Sequence, residues 1–186
     1  MGAASYYNYI SYIHNKQKKD NTVILLKTLL FLSFFLGEAS HDNCSTFYLI
    51  RHAEKVRADK SEPNPDLNEK GFLRAQNWKN YFSDKEVSKI YSTNYKRTLK
   101  TVEPLAKKNN LELVFYSPSD IDYDGFIKSN IGKTTLVVGH SDTIPDFVNE
   151  LIDNDYYPQI DDLNNSNLYI VSVCGSTVTH KLIKVD

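Results

Sequence analysis

The sequence predicts an α/β fold: three layers, α/β/α, with a mostly parallel central sheet and a C-terminal antiparallel hairpin. Short β-branched and aromatic runs alternate with segments of helical period, the pattern of a parallel sheet covered on both faces. The runs at residues 46–50 and 134–138 carry no charge, as strands buried on both faces do. The chain closes on residues 168–173 and 177–183, parted by Cys174-Gly175-Ser176, a hairpin pattern.

The first forty residues are set apart by composition. Lys16, Lys18 and Lys19 precede an apolar run from 23 to 36, and Gly37-Glu38-Ala39 follows. That order of basic region, short apolar region and small-x-small site is the order of a secretory signal peptide. As a helix the run would be about 21 Å long, against a bilayer core of about 30 Å. Residues 1–39 are therefore expected to be a signal peptide, with an uncleaved membrane anchor or a docked helix as alternatives, and residues 40–186 one domain. The expected location is periplasmic or secreted, with N-terminal membrane association under the anchor reading. Net charge is −1, so no overall field favours nucleic acid, and no nucleic-acid partner is expected. Cys44 and Cys174 are the only cysteines. They form no metal-ligand pattern, and a bridge between them is an option only in an exported chain.

The first strand ends in Arg51-His52, and a polar loop runs from Glu54 to Asp66. Asn68 is placed to cap a helix, whose apolar face is expected at Leu67, Phe72, Ala75, Trp78 and Phe82. Residues 89–92 form a second strand. A helix with Leu99, Val102, Leu105 and Ala106 on one side follows, and Pro104 inside it should kink or shorten it. Residues 111–116 make a third strand and 118–129 a short acidic helix. The fourth strand ends in Gly139-His140. Thr143 is expected to cap the next helix, with Pro145 in its first turn. Ile144, Phe147, Val148, Leu151 and Ile152 give it the clearest amphipathic stripe in the chain.

Three strand-to-helix junctions carry polar residues of one kind: Arg51 and His52, Arg97, and His140. In a parallel sheet these junctions share an edge, so the four can converge. Two guanidinium groups and two imidazoles near helix N-termini make a pocket for a phosphoryl dianion. One neutral imidazole would attack phosphorus, while the arginines and the other histidine stabilise the equatorial oxygens. No metal or other cofactor is required, because guanidinium groups supply the charge.

These residues resemble the histidine phosphatase superfamily, the phosphoglycerate-mutase-like proteins, and within it the small phosphohistidine-phosphatase-like branch. Arg51-His52-Ala53 is similar to the hallmark Arg-His-Gly. Ser92, Arg97, Thr98 and Thr101 fit Ser-x-x-x-x-Arg-[Ala/Thr]-x-x-Thr, and Val137-Val138-Gly139-His140-Ser141 fits an apolar strand running into Gly-His-Ser. Leu67-Asn68-Glu69-Lys70-Gly71 resembles a Leu-Thr-x-x-Gly helix start. The resemblance covers about residues 46 to 184. It implies a metal-independent phosphoric monoester hydrolase, cleaving phosphomonoesters or phosphoramidates. His52 is the implied nucleophile, with Arg51, Arg97 and His140 catalytic and phosphate-binding.

The general acid has five candidates: Glu54, Asp142, Asp120, Asp122 and Asp124. Expected substrates are a phosphorylated small molecule, a glycolipid or a phosphohistidine protein. A non-catalytic phosphate-ligand-binding or scaffold protein is the alternative. A mutase-type phosphotransferase is disfavoured, since no long loop insertion is present to exclude water. Arg74, Lys79 and Lys89 are expected on solvated faces, as are His14, His41 and His180. Two readings stand for Lys55, Arg57 and Lys60: solvated residues, or the lining of a site mouth that selects acidic substrates.

Overall fold

The computed structural model describes residues 44–185, together with His14 and residues 16–19. The proposed signal segment therefore lies almost wholly outside the described residues. Of it, His14 and residues 16–19 are helical. No helix among the described residues is long and apolar enough to cross a membrane.

Among the described residues six strands form one sheet in the order β3-β2-β4-β1-β5-β6. They are β1 (Ser45–Arg51), β2 (Lys89–Ser92), β3 (Leu113–Phe115), β4 (Thr134–Gly139), β5 (Asn167–Cys174) and β6 (Thr177–Lys184). The first four are mutually parallel, and β5 and β6 are antiparallel. Phe47, Leu49 and Val137 face one layer and Ile50, Leu136 and Val138 the other, so β1 and β4 are buried on both sides. That double burial accounts for their uncharged sequences. The α-helices described after residue 44 are α1 (Glu69–Tyr81), α2 (Lys96–Asn109), α3 (Tyr123–Ser129) and α4 (Thr143–Ile152). Trp78 of α1 and Val102 and Leu105 of α2 cover one face; Phe126 of α3 and Phe147 and Val148 of α4 cover the other. Cys44 and Cys174 are joined by a disulfide between the start of β1 and the end of β5.

Several local expectations need correction. Phe72 is exposed, and the inward stripe of α1 is Gly71, Ala75 and Trp78, continued by Phe82 in a 3-10 turn. Leu67, Ala75, Trp78 and Phe82 are buried as expected, and Phe72 alone is misplaced, one residue or about 100° from the inward Gly71. Gly71 sits where α1 crosses the loop after β1: a Cβ there would come within 2.1 Å of the Glu54 carbonyl oxygen. Helix α2 is not shortened by Pro104 and runs on to Asn109. Lys100 and Pro104 are both half-exposed, so the carbonyl left without its helical donor lies on a side that water reaches. Helix α3 begins only at Tyr123, because residues 117–120 turn and Asp122 caps it, accepting from Gly125 N–H. The cap of α4 is Asp142, not Thr143. The Thr143 hydroxyl instead accepts the His140 backbone N–H at 3.1 Å, which pins the turn carrying that histidine.

Candidate active site

The parallel register of β1 and β4 builds the site. Arg51 pairs with Gly139, so the next residue of each strand is a histidine at the same height. The His52 N–H donates to the Gly139 carbonyl at 2.9 Å, and the two imidazole rings lie 5.6 Å apart, centroid to centroid. On the other side of β4, Ser92 pairs with Val138, which brings Thr93 and the start of α2 to the same edge. All four residues of the Arg/His group meet there, as the strand-end reading expected.

His52 is buried and held by its backbone as well as its ring. Its carbonyl accepts from Asn165 Nδ2 at 2.8 Å, and the next residue, Ala53, donates its N–H to Thr101 Oγ1 at 2.8 Å. Thr101 in turn donates to the Arg97 carbonyl at 2.7 Å, tying α2 to this turn. The ring Nδ1 lies 2.7 Å from the Ala53 carbonyl oxygen. A carbonyl only accepts, so Nδ1 carries the proton and Nε2 bears the lone pair. Burial holds the imidazole down at about 3, assisted by the charges of Arg51, Arg97 and His140. It is neutral at any physiological pH.

His140 is oriented by a relay of hydrogen bonds. Arg97 Nη2 donates to its Nδ1 at 3.4 Å, so Nε2 carries the proton and donates to Thr93 Oγ1 at 3.1 Å. The Thr93 hydroxyl donates to Thr98 Oγ1 at 3.1 Å, and Thr98 donates to the Thr93 carbonyl at 2.7 Å. Burial, then the Arg97 charge, pushes His140 down to about 4. Tyr95 supports both partners: its ring meets His140 edge-on at 5.1 Å and lies 4.4 Å under the Arg97 guanidinium.

The arginines are incompletely satisfied. Arg51 Nη1 donates to the carbonyls of Asp161 and Asn164, and Nη2 to Asp162 Oδ1 at 2.8 Å, but its buried Nε has no partner. Arg97 Nε and Nη1 are likewise buried without a partner. Unpaired buried donors on charged groups are costly, and in native proteins they call for an explanation. Three such donors around two neutral imidazoles form a socket for an oxyanion.

The carboxyl candidates are placed as follows. Glu54 is clamped by Arg74 Nε through both oxygens and lies 3.6 Å from Lys70. Arg74 is thus not on a solvated face: it is nearly buried and also donates to the Val185 carbonyl at 3.1 Å. Asp122 caps α3, while Asp120 and Asp124 are exposed. Asp142 is exposed at the mouth, and its charge is felt by both Arg97 and His140. Lys89 lies over the Tyr91 ring, Lys79 bonds Gln76, and exposed His180 is bonded to the Tyr157 hydroxyl. His14 is exposed, and His41 lies outside the described residues. Among the described residues no three His, Cys, Asp or Glu side chains converge to hold a metal ion. Asp162, Asn165, Thr93 and Tyr95 were not legible as site residues; each acts from a loop or turn where no period marks it.

The family model of the histidine phosphatase superfamily (branch 1) matches residues 47–117. No curated protein matches the chain in sequence. Solved structures of the same fold include the putative phosphohistidine phosphatase SixA of Agrobacterium tumefaciens, at 18% identity and a TM-score of 0.55, covering 75% of this chain and 97% of that one. The protein histidine phosphatase SixA complexed with tungstate is 16% identical with a TM-score of 0.59, over 75% of this chain and 96% of that one. A phosphoglycerate mutase of Bacillus anthracis is 15% identical with a TM-score of 0.58, over 76% and 93%. The sequence match to the histidine phosphatase superfamily (branch 1) spans the ends of β1 and β2, and the fold, which is that of these solved structures, brings the end of β4 to them.

Proposed function

We propose that the protein is a metal-independent phosphatase working through a phosphohistidine on His52. The observation that carries this reading is the socket: three buried, unpartnered donors on Arg51 and Arg97 beside an imidazole whose Nε2 lone pair is free. Nε2 attacks phosphorus, forming the N–P bond as the bond to the leaving group breaks. The positive charge left on the phosphorylated ring is stabilised through Nδ1–H on the Ala53 carbonyl. Arg51 Nε and Arg97 Nε and Nη1 donate to the equatorial oxygens, where charge stabilisation is greatest. His140 takes up a proton at Nδ1 when the anion arrives between it and Arg97, and becomes a further donor. Asp142, exposed beside this pair, is the proton donor for leaving groups that need one. Water then attacks phosphorus, the N–P bond breaks to restore neutral His52, and inorganic phosphate leaves.

The shared fold does not separate phosphatase from mutase, since it includes both kinds of protein. His140 is half-buried and Asp142 exposed, so water reaches this edge of the site, which favours it as acceptor. Phosphomonoesters and phosphoramidates are the proposed substrates, and the tungstate bound by a protein of the same fold is an oxyanion of the required shape. The Cys44–Cys174 bridge supports a location outside the cytoplasm, periplasmic or secreted. N-terminal sequencing of secreted material should begin at Ser40; Met1 in a membrane fraction would favour the anchor. The test of activity is release of phosphate from p-nitrophenyl phosphate in the presence of EDTA. Turnover by the wild type and none by His52→Ala is expected; turnover retained in the variant overturns the mechanism.

A further inference from the structure

The socket uses the Nε edge of Arg51, but its Nη2 is engaged elsewhere. Asp162 bridges two guanidinium groups, taking Arg51 Nη2 on Oδ1 at 2.8 Å and Arg57 Nη1 on Oδ2 at 2.5 Å. Arg57 Nη2 also donates to the Asp162 carbonyl at 2.8 Å. The Arg51 side chain is 2% exposed, whereas those of Arg57 and Asp162 are 43% and 64% exposed. The Arg57–Asp162 pair is exposed on both sides, and such a pair contributes little to stability.

Lys55 adds to the imbalance. It lies half-buried at the start of the same loop, anchored by its bridge to Leu67. Among the described residues its ammonium has no ion-pair partner. Burial and the charges of Arg97, Arg57 and Arg51 all hold its pKa below the ordinary lysine value, with Asp162 pulling the other way. Four cations thus surround one mouth: Arg51, Lys55, Arg57 and Arg97. A single phosphoryl dianion seated on the Nε donors of Arg51 and Arg97 leaves Lys55 and Arg57 without a role at the reacting group.

We propose that Asp162 holds the place of a second anionic group of the substrate, and that Arg57 and Lys55 select phosphoryl compounds bearing a carboxylate or a second phosphate beside the transferred group. The inference rests on the phosphatase reading for the identity of the first anion site. The geometry of the second site is a fork: two guanidinium edges, from Arg51 and Arg57, already converge on two oxygens of one carboxylate. Bidentate recognition of this kind suits carboxylate and phosphate equally. The incoming anion displaces Asp162 toward solvent and gains the Lys55 ammonium, which the Asp162 carboxylate leaves unpaired.

Calorimetric titration of the full chain with two non-hydrolysable probes tests this apart from turnover. Methylphosphonate carries one anion and methylenediphosphonate two. The wild type should bind the second more tightly by about tenfold or more, and Lys55→Gln with Arg57→Gln should bring that ratio to within about threefold of unity. Asp162→Asn, which removes the resident competitor, should raise the affinity for methylenediphosphonate. A wild-type ratio near one, a ratio unchanged in the Lys55/Arg57 variant, or binding of neither probe overturns the second-anion site. A probe preference that disappears in the variant, in a protein that hydrolyses no phosphoester, upholds the second site and defeats the phosphatase reading instead.

Discussion

The Nδ1–H of His52 is committed to the carbonyl of its own neighbour, Ala53, at 2.7 Å. This contact sets the tautomer and leaves the lone pair on Nε2, the atom proposed to react. As the proposed nucleophile, His52 needs no base to deprotonate it, because burial already holds it neutral. A 15N-detected histidine spectrum should therefore show His52 as the Nδ1–H tautomer at pH 7. The Nε2–H tautomer, or an imidazolium, would remove the proposed nucleophile.

Replacing Arg97 separates function from stability. Its Nε and Nη1 are buried without partners, and burial lowers its pKa. Arg97→Ala should cost more than about 3 kcal/mol in transition-state stabilisation, read from kcat/KM. In the absence of ligand its Tm should be unchanged or higher, because groups held ready at a site are retained at some cost to stability. A near-neutral effect on kcat/KM would make Arg97 a structural residue.

His52, buried, and His140, half-buried, should make the fold acid-sensitive. Their folded pKa values, about 3 and about 4, lie below the ordinary 6.5. Between those values and 6.5 the unfolded chain binds protons that the folded chain does not. Stability is thus fully present above 6.5 and is lost as pH falls toward 4 and then 3, by at most about 1.4 kcal/mol per pH unit for each ring. Urea denaturation at pH 6.5 and pH 5 should show this loss, and His52→Ala should show a smaller one. An equal loss in the variant would mean that His52 is already protonated in the fold.

Gly71 should not tolerate a side chain. Its Cα faces the Glu54 carbonyl oxygen, which a Cβ would approach to 2.1 Å. Gly71→Ala should destabilise the fold by about 1–3 kcal/mol or more, the range for overpacked positions. Since Glu54 is the partner of Arg74, the strain falls on that pair as well. Denaturation midpoints of Gly71→Ala and Arg74→Ala check this; an unchanged midpoint in the glycine variant would mean that the loop yields freely.

The Cys44–Cys174 bridge spans 130 residues of sequence. Replacing both cysteines by serine should cost about 2–5 kcal/mol, chiefly by freeing the unfolded chain. Activity at 25 °C should persist, because the bridge joins the start of β1 to the end of β5, whereas Arg51 and His52 lie at the other end of β1.

The parts of the site visible in the sequence were those that a strand end announces. Arg51-His52 and Gly139-His140 each break an uncharged run, and a parallel sheet sends both to one edge. Phe72 misled because Gly71, the residue that faces inward, has no apolar side chain to signal its position. Thr143 misled because Asp142, one position earlier, can cap as well, and only the turn geometry decides between them. Asp162 and Asn165 were invisible for a different reason. They reach Arg51 and His52 across more than a hundred residues, from a loop whose path no local pattern encodes.

The most direct test is mass spectrometry of the protein quenched at alkaline pH within milliseconds of mixing with an activated phosphomonoester. The account predicts a mass increase of one phosphoryl group, mapped to His52 and absent in His52→Ala. Phosphate release without an adduct on His52, or an adduct that persists in the variant, would contradict it.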